Sequence, residues 1–73
     1  MSLIQAQTAS IRWQPEKLRW TVTVAIGEEV IKRSPGRTPP HDATDDVLRA
    51  CAVETARDEG YAVSPDEVSV FRA

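Results

Sequence analysis

The stretch that most constrains this chain is Leu18-Arg19-Trp20-Thr21-Val22-Thr23-Val24-Ala25-Ile26, where five successive even positions are apolar and mostly polar residues stand between them. A period of two sends alternate side chains to opposite faces of a strand, so this run reads as a central strand buried on one side and wet on the other. Its apolar positions are largely β-branched or aromatic, as a pleated, half-buried surface prefers.

The flanking segments follow the same logic. From Gln7 onward, Ala9, Ile11 and Trp13 point one way and Thr8, Ser10, Arg12 and Gln14 the other, which predicts a first strand. Pro15-Glu16-Lys17 supplies turn chemistry. Gly27-Glu28 suits a type II′ hairpin into Glu29-Val30-Ile31-Lys32-Arg33. With a two-residue turn, Ile26 faces Glu29 and Val24 faces Ile31, so Ile31 is core and Val30 outside; a bulge would exchange them.

Ser34 to His41 contains Pro35, Gly36, Pro39 and Pro40, which stop any strand or helix and leave a stiff loop. Thr44 or Asp42 then caps a helix predicted from about Asp45 to Glu59, with Asp45 and Asp46 in the first turn, where the macrodipole favours anions. Steps of 100° put Thr44, Val47, Leu48, Cys51, Ala52, Thr55 and Ala56 on the sheet-facing side, and Arg49, Ala50, Val53, Glu54 and Arg57 opposite. Gly60 is the expected left-handed cap. After Ser64-Pro65-Asp66, Glu67 to Phe71 alternates again, with Val68 and Val70 on one face and Ser69 and Phe71 on the other.

The predicted fold is α+β: an antiparallel sheet (β-β-β-α-β) with one amphipathic helix packed on one face, as a single domain over residues 1–73. The last strand has two candidate neighbours, the first and the third. Trp13, Trp20, Val22, Val24, Leu48 and Cys51 are the predicted heart of the core.

A chain of 73 residues buries only about 60% of its unfolded surface, so small domains of this size usually need a staple. One cysteine, Cys51, and one histidine, His41, make neither an internal disulfide nor a tetrahedral metal site, and no cofactor is expected. A homodimer or a tight partner is the staple that remains. No segment has the ~18 apolar residues of a membrane span, and there is no signal-peptide pattern, which predicts a cytoplasmic protein without a membrane partner.

Net charge is −2, divided unevenly. Residues 1–41 hold six cations (Arg12, Lys17, Arg19, Lys32, Arg33, Arg37) against Glu16, Glu28 and Glu29, whereas residues 42–73 hold Arg49, Arg57 and Arg72 against eight carboxylates. The expected molecule is dipolar, with a basic sheet and an acidic helix.

No catalytic set assembles. His41-Asp42 is the sole acid-base pair by type, but adjacent residues rarely converge on one site, and Cys51 has no nearby cation to activate it. Two binding surfaces remain. The acidic helix, with Asp45, Asp46, Glu54 and Asp58 and with Val53 as an apolar centre, suits a larger protein or nucleoprotein complex that has a basic surface. The alternative is a nucleic-acid-binding module using a basic sheet face and loop, with Arg12 and Arg19 on a sheet face from which both tryptophans are predicted to turn away and Lys32, Arg33 and Arg37 running into the loop beside it.

In its short length, its meander with one helix (strands around Leu18 to Ile26, helix from Asp45), its missing catalytic set and its acidic half, the chain resembles the small phage-encoded anti-CRISPR proteins. The resemblance implies a non-catalytic modulator that inhibits a CRISPR-Cas complex by stoichiometric binding, with acidic side chains against a basic nucleic-acid-binding surface. The basic half departs from the strongest nucleic-acid mimics in that group, so the implied mode is occlusion by contact.

Overall fold

Trp20, Val22 and Val24 are all but inaccessible, and the residues between them are not, so the central alternation builds the strand it predicts. The computed structural model describes residues 2–36 and 38–72. Its elements are β1 (Ile4–Gln5), β2 (Thr8–Gln14), β3 (Arg19–Ile26), β4 (Glu29–Arg33), helix α1 (Asp45–Asp58), β5 (Tyr61–Ala62), a 3-10 turn (Pro65–Glu67) and β6 (Val68–Phe71). The fold is α+β, with α1 lying on one face of a four-stranded sheet ordered β4-β3-β2-β6.

The β3–β4 hairpin has the predicted register: Ile26 faces Glu29 and Val24 faces Ile31. Gly27 (φ 60°) carries the only positive φ of that turn, as type II′ requires. Leu18 departs from its expected place. Trp13 pairs with Trp20 and Gln14 with Arg19, so Leu18 closes a four-residue loop with φ 52° and 73% exposure, outside the inward set of β3.

The sheet is not wholly antiparallel. β6 runs parallel to β2, with Ala9 opposite Val68 and Arg12 opposite Phe71. The reason lies before β2. The chain leaves α1 through Gly60 (φ 92°) and forms β5, which pairs in parallel with β1; Ile4 N–H donates to Gly60 O (2.9 Å) and Ala6 N–H to Ala62 O (2.8 Å). That short parallel pair, outside the predicted layout, ties the departing chain to the segment entering β2, and so delivers β6 beside β2 rather than β4.

Thr44 caps α1, its hydroxyl accepting from Val47 N–H at 3.3 Å, and the helix ends at Asp58 with Glu59 as cap. Its buried stripe is Leu48, Ala52, Thr55 and Ala56, turned further toward the alanines than the sequence predicts. Small side chains allow the closest approach to the sheet, and that approach sets the rotation. Val53 is therefore drawn against the core rather than centred on the polar face, while Val47, expected inside, is 50% exposed and Thr44 is also exposed. Cys51 and Trp13 are partly buried at the core margin instead of at its heart, which Ile11, Trp20, Val22, Val24 and Leu48 form.

Candidate functional site

With α1 on one side of the sheet, the other carries Thr8, Ser10, Arg12 and Gln14 from β2, alternate residues of β3, Val30 and Lys32 from β4, and Ser69 and Phe71 from β6; none is buried. The hydroxyls form a row across the strands, since Ser10 pairs with both Thr23 and Ser69. Beside that row the Arg12 guanidinium carbon lies 4.8 Å from the centroid of the Phe71 ring, a cation–π contact. Phe71 is 43% exposed, so this open face holds an accessible aromatic group after all. Its outward phase was readable from the alternation of β6, but its meeting with Arg12 depends on the parallel β2–β6 pairing.

The expected basic set divides. Arg12, Arg19 and Lys32 share the open face and are exposed. Arg33 follows Lys32 on a strand and so turns to the other side, where its Nε donates to Glu59 Oε1 at the end of α1. Arg37 lies outside the described residues.

The acidic set divides as well. Asp45 accepts from Arg72, which also donates to the carbonyls of His41 (3.2 Å) and Ala43 (2.7 Å). The hydrogen bond from Arg72 holds the Asp45 carboxyl below the usual carboxylate range. Asp46 is 97% exposed, with Arg49 3.9 Å away. Glu54 and Asp58 are exposed on the flank of α1 that faces Pro35 and Gly36, next to a mainly apolar groove between Val47, Ala50 and Cys51 and the Pro39-Pro40 segment. Thus Asp45 is engaged within the chain, and Val53 supplies no apolar centre.

His41 packs its ring against Trp13 (centroids 4.7 Å apart), and Trp13 meets Trp20 edge-on at 5.2 Å. Trp20 Nε1 donates to Pro39 O at 3.0 Å, which fixes the proline loop over that end of the core. Burial pushes the Cys51 thiol above its ordinary pKa, opposed by a hydrogen bond with Thr55 and reinforced by Glu54, so it is poorly poised as a nucleophile. Among the described residues no helix is long and apolar enough to cross a membrane. No family model matches this chain, and neither a curated protein nor a solved structure matches it.

Proposed function

We propose that this domain is a non-catalytic nucleic-acid-binding module working through the open face of its sheet. The observation that carries the reading is the placement of Arg12, Arg19 and Lys32 on one uncovered face, with Arg12 stacked on an exposed Phe71. Cations on an open sheet track a phosphate backbone, and hydroxyls beside them donate to phosphate oxygens. The acidic helix lies behind the sheet, and its partial pairing with Arg33, Arg49 and Arg72 limits its repulsion of a polyanion. The test is fluorescence anisotropy of a labelled oligonucleotide at several salt concentrations. Affinity is expected to fall with salt, with a log–log slope of about 0.7 per phosphate contacted, and Arg12→Glu, Arg19→Glu and Lys32→Glu are each expected to weaken it. Salt-insensitive binding, or binding indifferent to all three substitutions, refutes the reading.

Half-exposed Val47, in a groove with Pro39 and Pro40 and with Glu54 at its rim, favours a second reading: a phage-type modulator that binds a larger basic protein or nucleoprotein complex through the helix. Under it, Asp46→Lys, Glu54→Lys and Asp58→Lys weaken a nuclease-resistant complex and leave the fold intact. A complex that tolerates all three removes the helix from consideration.

A further inference from the structure

Building on the open-face reading, we infer that the ligand is single-stranded and that an unpaired base stacks on the Arg12–Phe71 pair. Two features point there. The first is width. The outermost of four adjacent strands lie about 14 Å apart, before side chains are added. A B-DNA major groove of about 12 Å admits a helix or a two-stranded ribbon, so this face cannot enter a duplex and can only lie against one.

The second is chemistry. Arg12 and Phe71 are directly opposed across the parallel β2–β6 pair, and the ring holds the guanidinium at 4.8 Å instead of leaving it free in solvent. A planar cation seated on an exposed ring offers a platform for a base, and π-faces are available only where bases are unpaired. Cations are nearby for the flanking phosphates. Arg19 stands one strand from Arg12, two residues further along, and Lys32 two strands away in the opposite sense. Ser10 and Thr23 lie between Arg12 and Lys32 and supply hydroxyl donors to the same backbone. In this arrangement Arg12 contacts the base and Phe71 is a positioning residue that also shields one side of the stack.

The experiment compares three labelled probes of equal length: oligothymidylate, an abasic phosphodiester and a duplex. Proteins are the full chain, Phe71→Leu and Arg12→Lys; the last keeps the charge and removes the guanidinium plane. Circular dichroism melts establish that each variant is folded. The full chain is expected to bind oligothymidylate about tenfold or more tighter than the abasic chain, and more tightly than the duplex. Both variants are expected to lose most of that preference while retaining abasic binding and its salt dependence. Equal binding of oligothymidylate and abasic chain, preference for the duplex, or a preference that survives both substitutions overturns the inference and leaves the charged-face reading standing. Failure to bind any of the three probes overturns both.

Discussion

Arg72, at the end of β6, donates from Nη2 to Oδ1 of Asp45 at 2.5 Å and to the carbonyl oxygen of Ala43 at 2.7 Å, closing the last strand onto the first turn of the helix. One side chain thereby ties the far end of β6 to the start of α1. Asp45 serves at the same time as a first-turn anion and as the acceptor for this clamp.

The clamp predicts a pH dependence. The folded Asp45 pKa lies below its unfolded value, so its contribution is fully present above the ordinary carboxylate pKa of about 4 and is lost as the pH falls through the lower folded value. Asp45→Asn is expected to be less stable than the parent chain at pH 7, with the gap closing as the pH falls through the lowered Asp45 pKa. Urea melts of both proteins across pH 2–7 measure it. A gap that does not vary with pH contradicts the assignment. Arg72→Ala also removes donors to two carbonyls and is expected to cost about 1 kcal/mol, given that the site is partly exposed.

Leu18 holds a left-handed backbone (φ 52°) with its side chain in water. A β-carbon makes that conformation unfavourable by roughly 1–2 kcal/mol, and asparagine tolerates it better. Leu18→Asn is expected to stabilise the domain by about 0.5–1 kcal/mol, which raises the melting temperature by about 2–8 °C. Calorimetry decides, and a lower melting temperature would show that Leu18 contributes through contacts instead.

Leu48 and Val47 are adjacent apolar residues with opposite roles. Leu48 is wholly buried between helix and sheet, and Leu48→Ala is expected to cost about 2–5 kcal/mol. Leu48→Asp would bury an unpaired charge, and no folded protein is expected. Val47→Ser, at a half-exposed position, is expected to change stability by less than about 1 kcal/mol. Comparable losses at Val47 and Leu48 would contradict the observed helix rotation.

His41 covers a half-buried Trp13, which in turn meets the Trp20 edge. Removing the imidazole in His41→Ala is expected to red-shift tryptophan emission and to cost about 0.5 kcal/mol, the low end of an aromatic pair at an exposed site. Unchanged emission would mean that the ring does not shield Trp13 in solution.

The four-residue spacing of Leu48, Ala52 and Ala56 announced a helix, and the even-position alternation from Trp20 to Ile26 announced its partner strand, because both patterns reflect local backbone periods. Gly27 and Gly60 marked their turns for the same reason: each needs a conformation that glycine adopts freely. The rotation of α1 was less legible. A periodic pattern defines an apolar arc, but where the arc meets the sheet depends on how closely Ala52 and Ala56 allow the backbones to approach.

The candidate site divides along the same line. That Arg12 and Phe71 face away from the apolar side of their strands was contained in alternation alone. That Lys32 and Arg33 cannot share a face was contained there too, since adjacent residues on a strand point oppositely. The meeting of Arg12 with Phe71, of Asp45 with Arg72 and of Arg33 with Glu59 was decided only by tertiary structure. These partners are 26 to 59 positions apart, and local conformation carries no information about which distant strand or helix end will arrive beside them. Strand order decides that, and here the short β1–β5 pairing brings β6 to β2.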